Sequence, residues 1–369
     1  MFSRSNILCF IVILAFSFLV VFSSCFFLKN TNANIDRIRK TDSSKEVVSS
    51  SILKKEGNQS KKEAKILFFG DLMLDRYNRN LADKNEIGWL LEKIPEDFFL
   101  ESDMNIANLE GPVTDNQTVS IGTKENEKNH FVFTFDPKKT RDFLNSKKIG
   151  VVNIGNNHIL NFGKNGLDQT KNNLDNFGVE YFGDPTDKNS FISKEINGIK
   201  IGFVNFNQFS TIGLEKIIEN IKNLKKENNF VIVYTHWGDE YKLVQNKKQQ
   251  NLAHFFIDSG ADLIIGTHPH VIEPIEIYKN KAIFYSLGNF VFDQYFSEDV
   301  KERLVVGISI SKEKTEFILE PLYTQSNGQV VLADEKKRNN LLSRLSETST
   351  VSDFLKKEIL TGNFSIKNW

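Results

Sequence analysis

From residue 65 onward, short β-rich apolar runs end one after another in side chains that bind metal ions or move protons, and this succession constrains the fold most. Residues 65–69 (KILFF) run into Gly70 and Asp71, residues 104–108 (MNIAN) into Leu109, Glu110 and Gly111, and residues 149–154 (IGVVNI) into Gly155, Asn156, Asn157 and His158. Residues 230–234 (FVIVY) lead to Thr235, His236, Trp237 and Gly238. Residues 262–265 (DLII) lead to Gly266, Thr267, His268, Pro269 and His270, and residues 282–286 (AIFYS) to Leu287, Gly288, Asn289 and Phe290. Helical periods lie between the runs. Leu214, Ile217, Ile218, Ile221 and Leu224 fall on one helix face. Leu252, Phe255 and Phe256 mark a second helix ending near Gly260, and Leu167, Leu174 and Phe177 a third stopped by Gly178. Strands alternating with helices predict an α/β domain. Open α/β sheets bind ligands beyond the carboxyl ends of their strands, so the six tips are expected to converge.

The converging inventory is one aspartate, one glutamate, one metal-competent asparagine and four of the chain's six histidines. Mixed oxygen and nitrogen donors suit one or two borderline divalent ions, Mn, Fe or Zn, better than an all-oxygen Mg site. Pro269 biases His268 towards extended backbone, and residues two apart in an extended chain point the same way. His268 and His270 are therefore expected to face one site. With a bridging carboxylate, two ions roughly 3.5–4 Å apart clamp a phosphoryl or acyl oxygen and ionise a water. Both cysteines, Cys9 and Cys25, lie in the first 25 residues, which excludes thiol chemistry and a disulfide framework from the rest. The 47 Lys and Arg cancel the 47 Asp and Glu, leaving no overall field to draw the molecule onto nucleic acid. A hydrophobic content of 40% excludes disorder throughout.

Residues 7–28 are 22 residues without a formal charge, set between Arg4 and Lys29 and long enough to span a bilayer. Of three readings, the first two are an uncleaved signal anchor and a lipoprotein signal, since Phe22, Ser23, Ser24 and Cys25 resemble a lipobox. An ordinary cleaved signal is the third. All three place the folded part on the extracytoplasmic side. Residues 29–64, rich in Lys, Asn, Ser and Glu, are expected to be a disordered tether. A main domain is expected over 65–323, its motif core at 65–293, closed by a hairpin of strands 304–311 and 315–322. Residues 324–369 form a helical extension in which 334–346 and 353–360 read as amphipathic surface helices.

In order, GDLML (70–74), NLEGP (108–112), NNH (156–158), HWGDEY (236–241), GTHPHV (266–271) and YSLGNFVFD (285–293) resemble the CapA family of capsule and poly-γ-glutamate synthesis proteins. The resemblance implies a calcineurin-like metallophosphoesterase fold, a four-layer α-β-β-α sandwich of two facing sheets with helices outside. It also implies roles. Asp71 resembles the first metal-site aspartate, Glu110 stands at the bridging position, and Asn157 looks like the amide ligand of the second metal. His236 and His268 complete the second site, His270 returns to the first, and His158 resembles the histidine that protonates a leaving group. The implied partners are an anionic surface polymer or its precursor, membrane-bound synthase subunits, and the membrane itself through the amino-terminal segment.

Departures accompany the matches. Met73 stands where a histidine is usual, the bridging residue is a glutamate in place of an aspartate, and Asn161 stands where an aspartate often orients the NNH histidine. Asp75 reaches the first metal site only if the backbone bends. Around the core set, Asn156 is read as support, Trp237 as a pocket wall, and Asn289 as either polar support or a turn residue. Arg76 binds an anionic substrate group or joins a surface ion pair. His130 precedes Phe131, Phe133 and Phe135, whose alternation predicts a strand edge, and His254 belongs to packing or surface.

Overall fold

β1 (Ala64–Leu72), β2 (Met104–Leu109), β3 (Ile149–Asn153) and β4 (Glu180–Phe182) pair in parallel, the first three buried along most of their length as parallel strands covered on both faces are, and β4 at the edge partly exposed. In the computed structural model, which describes residues 62–188 and 190–368, these strands form half of a nine-stranded sheet. Its other half is antiparallel: β12 (Glu302–Ile310) pairs with β1, and β13 (Lys314–Thr324) pairs with β12, β14 (Val330–Leu332) and β15 (Asn363–Lys367). The short β11 (Asn289–Val291) lies parallel to the end of β1. A six-stranded sheet runs β5 (Phe191–Ile196), β6 (Ile199–Asn207), β7 (Phe230–His236), β8 (Leu263–Thr267), β10 (Lys281–Phe284) and β9 (Ile275–Tyr278). Its four inner strands are parallel.

Three apolar clusters hold this mixed α/β architecture. One combines inward residues of both sheets, including Phe68, Ile106 and Val306 from the first and Phe203, Ile232 and Ile265 from the second. A second packs α1 (Arg76–Asn85), α2 (Pro137–Ser146) and α3 (Gly163–Phe177) on the other face of the larger sheet through Leu81, Phe143, Leu167 and Leu174. The third packs α4 (Leu214–Glu227) and α5 (Lys247–Asp258) on the smaller sheet through Ile221, Leu224, Phe256 and Trp237. Gly178 caps α3 in the left-handed region at φ 72°, where a side chain is strained. Among the described residues no helix is long and apolar enough to cross a membrane. The expected signal segment, residues 1–28, and residues 29–61 of the expected tether lie outside the described residues.

The hairpin expected at 304–322 is β12 and β13. The expected helices near 334 and 353 are α6 (Glu335–Thr348) and α7 (Asp353–Thr361), and β15 after them adds a strand to the larger sheet that the sequence reading did not place. Residues 131–135 form no strand. Phe133 and Phe135 are buried, but only Phe135 makes a bridge, to Val113, because the preceding residues fold through successive turns.

Candidate metal centre

Both sheets deliver polar residues to one place. Asp71 ends β1, Glu110 follows β2, Asn156, Asn157 and His158 follow β3, and β11 brings Asn289 beside Asp71. From the smaller sheet, His236 ends β7, and His268 and His270 follow β8. Two glycines permit the approach. A Cβ on Gly70 would lie 1.8 Å from the Gly288 oxygen, and one on Gly266 would lie 1.8 Å from the Tyr285 oxygen. His268 and His270 do share the site, but by a route other than the extended one Pro269 suggests. Both take left-handed backbone, with φ of 97° and 60°, so a strained bend turns the rings together.

The ligand-competent atoms form two triplets that share Glu110: Asp71, Glu110 and His236, and Glu110, His268 and His270. Glu110 Oε1 lies 3.9 Å from His236 Nε2, 3.7 Å from His270 Nε2 and 3.9 Å from His158 Nε2. Asp71 lies 3.3 Å from His270 Nδ1 and accepts the His268 backbone N–H at 3.1 Å. His236 Nε2 stands 2.9 Å from Asn157 Oδ1. Three buried atoms here have no hydrogen-bond partner: both oxygens of Glu110 and Nδ1 of His268. Buried polar atoms are seldom left unpaired, and carboxylate and imidazole lone pairs directed together fit a divalent cation.

Electrostatics follow from burial. Burial and then the neighbouring Asp71 carboxylate push Glu110 well above its ordinary pKa. Burial also pushes Asp71 up, but hydrogen bonding and charge from His270, with His236 and Asn108, hold it below the usual carboxylate range. Burial drives His158 down to about 4 and His268 down to about 3, and it holds His236 well below its ordinary value.

Amides brace this set, and of these Asn108 and Asn153 were not anticipated. Asn108, two residues before Glu110 on the same strand face, donates to Asp71 Oδ1 at 2.7 Å and accepts from Asn153 and Asn156. Asn156 also donates to the Leu109 oxygen and accepts the His158 N–H, so it fixes the turn that carries His158. Asn161 is 3.2 Å from His158 Nδ1 through the oxygen that accepts the Phe133 N–H. An amide therefore meets His158 at the position noted above for its lack of an aspartate.

Two other expectations, for Arg76 and Trp237, change, and Met73 and Asp75 also take definite places. Met73 is buried in the apolar cluster of the larger sheet and takes no place at the centre. Asp75 does not reach the first site: its oxygens accept from Thr118, Ser120, Thr134 and Arg79. Arg76 is in no surface pair. It is buried, bound to Asp293 and His130, and its guanidinium lies over Phe133 and Phe292. Trp237 points away from His236, packs with Phe256 and Tyr285, and donates to the Tyr285 oxygen, because successive strand residues face opposite sides. Half-exposed Phe209 stacks edgewise on His268 at 4.7 Å, and buried Phe133 lies 4.3 Å from His158. His254 stacks on Tyr278 and bonds Glu276, away from the centre.

Strands of two sheets ending in a buried carboxylate and histidine cluster define an α/β protein with a centre suited to divalent cations. Residues 65–294 match the family described as Bacterial capsule synthesis protein PGA_cap, and the chain belongs to that family. It is similar to the PGA biosynthesis protein CapA of Bacillus subtilis, 31% identical over 304 residues, 76% of this chain and 77% of that protein. It is similar also to the Capsule biosynthesis protein CapA of Bacillus anthracis, 26% identical over 307 residues, 76% of this chain and 72% of that protein. Among solved structures it resembles Chaetomium thermophilum Vps29 at TM-score 0.32 and 12% identity, covering 73% of this chain and 91% of that one.

Proposed function

We propose that this protein acts at the cell envelope in the synthesis or export of an anionic capsule polymer of the poly-γ-glutamate type, as a metal-dependent, phosphoesterase-like hydrolase. The two sheets sharing a core, each carrying helices on its other face, support a four-layer metallophosphoesterase-like sandwich. The names of the two Bacillus relatives support the polymer role. One observation carries the chemistry: Glu110, buried and without a hydrogen-bond partner, belongs to both ligand triplets.

A divalent cation bound there would polarise a substrate oxygen and lower the pKa of a water. Asp71, Glu110 and His236, with Asn157 beside His236, would hold it on one side and Glu110, His268 and His270 on the other, a division that exchanges His236 and His270 relative to the one the family resemblance implies. His158 serves proton transfer. The oxygen of Asn161 already accepts the Phe133 N–H, so Nδ1 of His158 donates to it and Nε2 is left towards Glu110 and the substrate. Burial lowers His158 to about 4, so a proton stays on Nε2 only beside an anionic group, such as a phosphoryl oxygen. Phe209, exposed beside His268, gives the rim an apolar side chain, and buried Phe133 packs against His158. The partners are read as the anionic polymer or its precursor and membrane-bound synthase subunits, with the amino-terminal segment as anchor.

Replacing His158 by Ala in cells tests catalysis. Loss of polymer output with cation binding retained is expected, because His158 lies outside both triplets. Unchanged output, with loss on deleting the whole gene, would instead support a non-catalytic accessory protein that holds polymer or synthase. That second reading is favoured by Met73 and Asp75, which leave the first site one ligand short.

A further inference from the structure

Asn289 is fully buried at the start of β11, and its amide has a single possible orientation. Its Nδ2 is directed at three acceptors: the backbone oxygens of His270 (3.3 Å) and Val300 (3.2 Å) and Oε1 of Gln294 (3.1 Å). The two backbone oxygens only accept and by themselves fix the Asn289 amide, whereas the Gln294 amide meets the Tyr241 hydroxyl, which both donates and accepts. With nitrogen surrounded by acceptors, Oδ1 of Asn289 must be the atom 3.0 Å from His270 Nδ1. Asp71 Oδ2 lies 3.3 Å from the same ring nitrogen. A nitrogen facing two oxygens that only accept carries the hydrogen. The lone pair of His270 is then on Nε2, 3.7 Å from Glu110 Oε1.

Arg303 braces this arrangement. It is buried, and its guanidinium donates to the carbonyls of Phe290 (2.9 Å), Val300 (2.9 Å) and Phe292 (3.2 Å). Val300 thus receives both Arg303 and Asn289, and the other two carbonyls lie one and three residues beyond Asn289 in the chain.

We propose that Asn289 is a positioning residue that locks His270 in the Nδ1–H form and commits Nε2 to the cation centre, with Arg303 holding the lock in place. The consequence for affinity rests on the cation-centre reading above, whereas the assignment of the hydrogen does not. Groups that orient a metal-ligating histidine typically change affinity by about 10- to 100-fold when removed.

Two measurements on the full-length protein in detergent decide it. Nitrogen-15 NMR of the imidazoles, with His270→Gln to assign the signal, is expected to show Nδ1 protonated in the wild type and a tautomer mixture in Asn289→Ala. Co2+ titration followed by visible absorption is expected to weaken about 10- to 100-fold in Asn289→Ala. Asn289→Asp keeps the acceptor for His270 but loses every donation to Val300, Gln294 and the His270 oxygen, so it separates orientation from simple bracing. It is expected to recover most of the lost affinity. The lock is overturned if His270 carries its hydrogen on Nε2, or if Asn289→Asp binds as weakly as Asn289→Ala. Should Asn289→Ala fail to fold, the wild-type tautomer and Asn289→Asp remain decisive. Should the wild type bind no Co2+, the cation centre fails, and the NMR alone decides the lock.

Discussion

Glu110 carries two carboxylate oxygens buried without a hydrogen-bond partner, and a buried charge in that state costs several kcal/mol unless a proton or a cation neutralises it. Burial and the Asp71 carboxylate favour the proton when no cation is bound. Glu110→Gln keeps the shape and removes the need for either. In chelator, we expect the variant to unfold within ~1 kcal/mol of the wild type, and on adding Mn2+ or Zn2+ only the wild type should gain stability. Thermal unfolding with and without the ion reads both. The principal site residues were legible because each sits at the end of a β-rich run, where residue type and position coincide. Arg76, Trp237 and Asp75 were not. Their roles depend on which side of a strand or turn the side chain leaves, and a one-residue step reverses that side.

At the scale of elements, the centre depends on how closely β11 lies against β1. A Cβ at residue 70 would meet the Gly288 carbonyl at 1.8 Å, and backbone cannot move aside as a flexible side chain can. Gly70→Ala is expected to cost about 3 kcal/mol in denaturant unfolding and to weaken cation binding, because Asp71 and Asn289 are paired across the same junction. A variant as stable as the wild type would show that this contact is not tight. α3, α4 and α5 were legible from their periods. β6 passed unnoticed although it is nine residues long and pairs along all of β7, because its tip ends in Asn205 and Asn207 without a histidine or carboxylate. α1 (RYNRNLADKN) has too few apolar residues to show a period, and packing of Leu81 and Ala82 fixes it.

For the whole molecule, the charge balance is neutral but the buried titrating groups are not symmetrical in their effect. Burial pushes Glu273 up to about 8, a shift that its hydrogen bond from Gln249 only partly offsets. The folded state therefore holds a proton there that the unfolded chain has released above its ordinary value of 4.5. Stability from this group falls as pH rises from 4.5 through about 8. His158 and His268 act in the opposite sense. Burial lowers them to about 4 and about 3, so the unfolded chain binds protons first, and stability falls as pH drops below 6.5. The two windows overlap between 4.5 and 6.5, where two histidines outweigh one glutamate, so in chelator these groups place the peak in the free energy of unfolding at about pH 6.5. Glu273→Gln should remove a fall of up to ~1.4 kcal/mol per pH unit across the whole window from 4.5 to about 8, flattening the alkaline limb and steepening the acid one; unchanged slopes in urea unfolding from pH 5 to 8 would show that Glu273 ionises freely.

The central claim is that the strand ends of both sheets build a centre for a divalent cation around Glu110. Calorimetric titration of Mn2+ and of Zn2+ into chelator-stripped full-length protein tests it most directly, with Glu110→Gln and His236→Ala beside the wild type. Saturable binding by the wild type, lost or weakened at least tenfold in both variants, is expected. Equal binding in all three, or none in the wild type, would contradict it.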